Sequence, residues 1–267
     1  MFNEHTHTWL LVIDLANNKI KKIDGLSNLV NLRKIDLGAN RIRVMDETQL
    51  GGLINLEELW LGKNKIEKIQ GLSNLKKLRR LDVQSNRLTY IDGLEGQIDS
   101  LEELYLAHNG INDAGVMMGE EDGEGKTKWT GLQLQFKNLT TLDLSKNRLT
   151  SCRPFAHIDT LNELWLSLNN ISSFDDVEPI SRLGTRDGAE LTEIYLEHNP
   201  VYEDFEYRKK LKEMIPSLIQ IDANVIGGTG YGSVISKPAP EQVMEQMRLL
   251  QDKVIEKAKE ELVNGKK

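Results

Sequence analysis

An eleven-residue phrase, LxxLxLxxNxL with Ile or Val admitted at the leucine positions, occurs eight times in this 267-residue chain. Its copies begin at Leu10, Leu32, Leu56, Leu78, Leu101, Leu139, Leu161 and Leu191. They are punctuated by Asn18, Asn40, Asn64, Asn86, Asn109, Asn147, Asn169 and Asn199, which lie 22, 24, 22, 23, 38, 22 and 30 residues apart in succession. A base period of 22 with two insertions accounts for the series. That phase overrides the two-domain organisation that length alone would suggest.

Within each phrase the residues of Leu-x-Leu alternate faces, so the leucines point inward and the x residue outward, as on a strand. The asparagine stands where the chain must leave the strand. Its amide can serve backbone groups of neighbouring turns that would otherwise be buried unpaired. Each return segment adds inward residues, such as Ile23, Leu26 and Leu29 or Ile69, Leu72 and Leu75, with Gly25, Gly71 and Gly93 marking tight backbone. One repeat buries about six large apolar side chains at ~1.5–3 kcal/mol each. Ordering its roughly twenty residues costs ~1–2 kcal/mol apiece. A lone repeat therefore loses, and the copies must stack. The expected fold is an α/β leucine-rich-repeat solenoid, a right-handed superhelix with a concave parallel sheet and short helical or 3-10 returns on its convex side.

The repeats and a C-terminal cap at about 200–225 make one expected domain, 1–225. A helix over 203–214 with Phe205, Leu211 and Met214 inward, a stop at Pro216, and a strand-like Leu218 and Ile221 should close the open end. Only nine residues precede Leu10, too few for an equivalent cap, so a partner or a naturally longer start is expected there. The insertion at 112–135 reads as an exposed acidic loop, and the one from Ser181 to Glu190 as polar. Residues 226–240 read as a flexible linker. Over 241–267, Val243, Met247, Leu250, Val254, Ala258 and Leu262 share one stripe of an amphipathic helix.

Composition narrows the chemistry. With 41 acidic against 34 basic residues the net charge is −7, which disfavours nucleic acid and anionic membrane as partners. A single cysteine, Cys152, excludes an internal disulfide and fits a reducing compartment. Gly125, Lys126 and Thr127 imitate the end of a phosphate-binding loop, but Glu120 replaces the first glycine and Glu121, Asp122 and Glu124 would repel a triphosphate. The glycine-rich run 227–233 lacks a βαβ context, and His5 and His7 lack further metal ligands. His108 and His198 have no nucleophile nearby in sequence, and Cys152 reads as a small structural residue. No enzyme, metal or cofactor is expected.

The outward x residues, in order, are Asp14, Asp36, Trp60, Asp82, Tyr105, Asp143, Trp165 and Tyr195. The core gains nothing from them. Two residues earlier the outward file holds Glu58, Glu103, Glu163 and Glu193 with Lys34 and Arg80 interspersed. Rings that simply stack along the sheet would explain this column; so would a protein-binding face, with aromatic anchors and carboxylates that select a basic partner.

The runs Leu59–Ile66 (LWLGKNKI), Gln84–Thr89 (QSNRLT) and Leu104–Ile111 (LYLAHNGI), and the ending Tyr195–Pro200 (YLEHNP) with Tyr207, Arg208 and Gln220–Ala223 (QIDA), resemble the SDS22 family of leucine-rich-repeat regulatory subunits of protein phosphatase 1. The resemblance spans about 10–225. It implies a non-catalytic nuclear and cytoplasmic subunit, monomeric on its own, that binds the phosphatase catalytic subunit, and further phosphatase regulators with it, through the concave face. The contact residues it implies are Asp36, Trp60, Asp143, Glu163, Trp165 and Tyr195; Asp82 and Tyr105 are expected beside them from the outward column. Asp36 and Trp60 stand where the family usually carries glutamate and phenylalanine, and Asp14 where an aromatic is expected. The insertion and the tail lie outside the resemblance, and no Arg/Lys-Val-x-Phe docking sequence is present. An adaptor for another protein, cytoskeletal or spliceosomal, remains the alternative.

Overall fold

The computed structural model of the chain describes residues 9–117, 119–121, 127–129, 131–184 and 190–226. The linker and amphipathic helix expected at 226–267 lie outside the described residues beyond Ile226, as do His5, His7, Lys126 and 185–189. Each phrase forms one short strand: β1 Val12–Asp14, β2 Lys34–Asp36, β3 Glu58–Trp60, β4 Arg80–Asp82 and β5 Glu103–Tyr105. After a hairpin of β6 Gly119–Glu121 and β7 Thr127–Trp129 the series resumes with β8 Thr141–Asp143, β9 Glu163–Trp165 and β10 Glu193–Tyr195. β11 Gln220–Ile221 and β12 Asn224–Val225 end it. Among the described residues these form a ten-stranded sheet in chain order, parallel from β1 to β11, with β6 and β7 paired apart.

Every strand is in register with the next, so Ile35, Leu59, Leu81, Leu104, Leu142, Leu164, Ile194 and Ile221 form one inward row, all fully buried. The flanking leucines of the phrase and the inward residues of the returns complete a continuous core. On the convex side the returns are short: α1 Glu47–Leu50, α2 Asp113–Val116, α3 Phe174–Val177 and 3-10 turns such as Arg153–Phe155. Gly93 shows why glycine punctuates them. Its φ is +69°, and a Cβ there would come within 2.5 Å of the Ile69 carbonyl oxygen of the preceding turn.

The strand exit repeats with equal regularity. The residue before each asparagine takes a left-handed conformation: Asn17, Ala39, Lys63, Ser85, His108, Lys146, Leu168 and His198 have φ between 52° and 61°. The asparagine then ties two repeats together. Asn64 Oδ1 accepts from Ile42 N–H at 2.9 Å, while Nδ2 donates to the carbonyls of Leu37 and of its own Leu61, both at 3.0 Å. Asn40, Asn86, Asn109, Asn147, Asn169 and Asn199 make the same three contacts. Asn18 is exposed and, among the described residues, reaches only the carbonyls of Leu15 and Ala16.

The end cap uses a substitution of side chain for backbone. In repeat after repeat the last strand leucine donates its N–H to a carbonyl of the next coil, as Leu166 does to Tyr195 at 2.7 Å. Beyond the last repeat Asp222 takes that place: its Oδ1 accepts from Leu196 N–H at 2.9 Å and Glu197 N–H at 3.0 Å. Helix α4 Tyr207–Met214 covers the end with Tyr207 and Leu211, and Arg208 donates to the carbonyls of Ile221 and Asn224. Three expectations change. Phe205 is exposed rather than inward, because the helix starts after it. Part of the insertion at 112–135 is a hairpin between α2 and a 3-10 turn at Gly131–Gln133, not a plain loop. Leu183, in the insertion read as polar, is fully buried.

Candidate partner-binding surface

Strand alternation carries all eight outward residues to the concave wall, and the register places them side by side: Asp14, Asp36, Trp60, Asp82, Tyr105, Asp143, Trp165, Tyr195. They are not equally open. Asp82 and Asp143 are only 4% and 6% exposed, contrary to the expectation of outward, solvated carboxylates. Each lies between two larger rings, Asp82 between Trp60 and Tyr105 and Asp143 between Tyr105 and Trp165, which cover it. Each also folds back on its own chain: Asp82 Oδ1 accepts from Gln84 N–H and Asp143 Oδ1 from Ser145 N–H, both at 2.9 Å. Asp14 and Asp36 do the same with Ala16 and Gly38. The aspartates of the column thus cap the strand exit by Asx turns. Burial pushes the carboxyls of Asp82 and Asp143 above the usual range despite these bonds. The signal for this role, Asp at the last strand position, is visible in the sequence but is shared with a surface role.

The parallel file is Lys34, Glu58, Arg80, Glu103, Thr141, Glu163, Glu193, Gln220. Its first four members compensate one another. Lys34 pairs with Glu58 at 3.0 Å and Arg80 with Glu103. Trp60 donates its indole N–H to Glu58 at 3.1 Å and lies under Lys34 and Arg80, whose charged groups stand 5.0 and 5.2 Å from its ring centre. Tyr105 donates its hydroxyl to Glu103 at 2.6 Å, and burial together with that carboxylate pushes its ionisation well above the usual tyrosine range.

The other end differs. Among the described residues no cation pairs with Glu163 or Glu193, adjacent across β9 and β10. Burial pushes the Glu163 carboxyl up, and the charges of Glu193 and Glu103 push it further. The indole N–H of Trp165 is buried without a hydrogen-bond partner, although it lies near enough to Glu163 to ease that carboxyl slightly back down. The rings of Tyr105, Trp165 and Tyr195 do pack along the sheet, with centroids 6.4 and 5.1 Å apart and planes inclined by 73° and 54°. The rings thus stack along the sheet, and the carboxylates of Glu163 and Glu193 beside them have no cation among the described residues.

The remaining candidates are quiet. Cys152 is fully buried, and burial holds its thiol well above the usual range, so no thiolate nucleophile is offered. His108 Nδ1 lies 3.2 Å from Ser85 Oγ, and the His198 ring centre is 6.1 Å from that of Tyr202. Among the described residues no group of three or more His, Cys, Asp or Glu could hold a metal ion, and no helix is long and apolar enough to cross a membrane.

Leucine-rich-repeat family models match residues 30–88, 99–118 and 138–157. Rat (Rattus norvegicus) lumican is 31% identical over 194 residues, 71% of this chain and 52% of lumican. A protein phosphatase 1 regulatory inhibitor subunit homolog of Arabidopsis thaliana is 43% identical over 49 residues, 18% of this chain and 14% of that protein. A solved leucine-rich-repeat protein of Leptospira interrogans superposes with a TM-score of 0.60 at 25% identity, covering 80% of this chain and 48% of the other. The chain spans about half or less of the length of each. Its fold is the leucine-rich-repeat fold.

Proposed function

We propose that the chain is a non-catalytic regulatory subunit of protein phosphatase 1 that grips the catalytic subunit with its concave face, in the nucleus and cytoplasm. The carrying observation is the open end of that face: Glu163 and Glu193 without a cation, beside the unpartnered indole N–H of Trp165 and the ring of Tyr195. A carboxylate pushed up by burial and by a neighbouring like charge, as Glu163 is, gains most from an incoming guanidinium or ammonium, while flanking rings exclude water around it. The family resemblance and the short Arabidopsis match support the phosphatase as the bearer of that cation. The longer reach of the lumican match favours, as the second reading, an adaptor for a different protein.

The test is capture of purified phosphatase catalytic subunit, followed by calorimetry. Trp165→Ala with Tyr195→Ala should weaken binding by at least ~2 kcal/mol, as for interface anchors generally, with melting largely retained. Equal binding by wild type and double variant would overturn the proposal. The main protein co-purifying from lysate separates it from the adaptor reading.

A further inference from the structure

The flank where the chain leaves the strands of the first three repeats carries a second, oppositely charged site. A cavity of about 630 Å³ is lined by Lys21, Lys22, Ile23, Arg41, Arg43, Val44, Asp46 and Lys65. Lys21, Lys22, Arg41 and Arg43 are exposed, and among the described residues none of the five cations joins an ion pair. The single carboxylate in the lining is already engaged: Asp46 Oδ1 accepts from the N–H and hydroxyl of Thr48 at 2.9 and 2.7 Å, starting α1. Val44 sits among the cations and is 54% exposed.

This concentration of charge is local. One and three residues past the ladder asparagine the first two repeats carry Lys19 and Lys21, then Arg41 and Arg43. In the last two repeats the same positions hold Asn170 and Ser172, then Pro200 and Tyr202. Only the first two repeats carry a cation at both positions, with Lys65, Arg87 and Arg148 standing singly further on, in a chain whose net charge is −7. Unpaired cations repel one another and contribute nothing to folding. An anionic occupant would relieve that repulsion more strongly than solvent and counterions do.

We propose that this cavity binds an acidic peptide segment of a partner protein, its carboxylates spread over Lys21, Lys22, Arg41, Arg43 and Lys65 and an apolar side chain set against Val44 and Ile23. The apolar floor between the cations favours a peptide, which alternates charged and apolar side chains, over a uniformly charged nucleic-acid backbone. The site is separate from the concave face and does not depend on the phosphatase reading.

Fluorescence polarisation with a short labelled peptide of Glu and Asp around one Leu tests it on the full chain. Saturable binding that weakens with salt is expected. Lys21→Glu with Arg43→Glu should weaken it about tenfold or more, equivalent to ~1.4 kcal/mol. Val44→Ser should abolish the preference for Leu over Ala in the peptide. Trp165→Ala should leave peptide binding intact, which separates this site from the concave one. Binding unchanged in the double charge reversal, or no preference for Leu in the wild type, would overturn the proposal. So would tighter binding of a single-stranded oligonucleotide, or of a second copy of the chain read by sedimentation.

Discussion

The tripeptide Glu-Leu-Trp occurs twice at the same strand position, in β3 as Glu58–Trp60 and in β9 as Glu163–Trp165, with the same pattern of burial. Its chemistry differs at the two places. Burial alone would raise the carboxyl of Glu58, yet the hydrogen bonds from Lys34 and Trp60 and the charges of Lys34 and Arg80 bring it below the usual range. At Glu163 burial is joined by the like charges of Glu193 and Glu103, and the carboxyl rises. Trp60 has an acceptor and two cations, whereas Trp165 has two rings and, among the described residues, no cation. A residue on a solenoid wall is defined by the repeats on either side of it. One half of the wall is satisfied from within, and the other keeps carboxylates with no cation among the described residues.

The comparison requires that the scaffold under the two tripeptides be the same. Asn64 follows β3 and Asn169 follows β9, and each serves three backbone groups at 2.9–3.0 Å. Asn64→Ala and Asn169→Ala should each destabilise by about 3 kcal/mol, from buried groups left unpaired at ~1–3 kcal/mol apiece. Urea unfolding measures both. Very unequal losses would move the asymmetry from the side chains to the backbone. Binding should then split the tryptophans: Trp165→Ala costs at least ~2 kcal/mol against the phosphatase catalytic subunit, and Trp60→Ala less than about 1 kcal/mol. Calorimetry showing Trp60 as the costlier residue would reverse the assignment of the open half.

The architecture is legible in the sequence because it is periodic. Leu-x-Leu sets strand and face, the asparagine marks the exit, and a spacing of 22 makes each coil's partners the next coil's copies. What depends on neighbours is not legible. Asp82 reads as exposed because a strand alternates, but the rings beside it belong to β3 and β5 and cover it. The charge file is present in the sequence as Lys34, Glu58, Arg80, Glu103, Glu163 and Glu193. Which carboxylates find cations follows from register and reach. The left-handed residue before each asparagine has no composition signal, since Ala39, Lys63 and Leu168 all occupy it. Asp222 stays hidden as a cap because its carboxylate imitates a backbone carbonyl that only the stacked coils define.

Protonation sharpens the contrast through the sign of its effect. Glu163 has a folded pKa above its unfolded value of about 4.5, so the native state holds the proton more tightly. Its contribution to stability is best below that unfolded value and is lost as pH rises through the folded pKa. Glu58 has a folded pKa below the same reference, so its contribution is present above the reference and is lost as pH falls through the folded pKa. At neutral pH Glu163→Gln should therefore raise the melting temperature and Glu58→Gln lower it, each within about 1 kcal/mol because both groups are partly screened by solvent. Thermal melts at neutral and acidic pH read both, and the two effects should fade once the carboxylates are protonated. Shifts of the same sign would erase the electrostatic difference between the two halves.

The smallest effect falls where the halves meet. Asp82 stands between Trp60 and Tyr105, with one oxygen on Gln84 N–H at 2.9 Å and the other on the Gln84 side-chain amide at 3.0 Å. Burial and the charges of Asp143 and Asp36 make its ionised form costly, so its value to the fold is as an acceptor and not as a charge. Asp82→Asn keeps an acceptor for the Gln84 N–H and removes the charge, so stability should hold or rise slightly. Asp82→Ala removes the acceptor as well and should cost about 1 kcal/mol, the net worth of one hydrogen bond. If asparagine and alanine were equally destabilising, the charge itself would be required there, and Asp82 would belong with Glu163 as a group held in readiness for a cation.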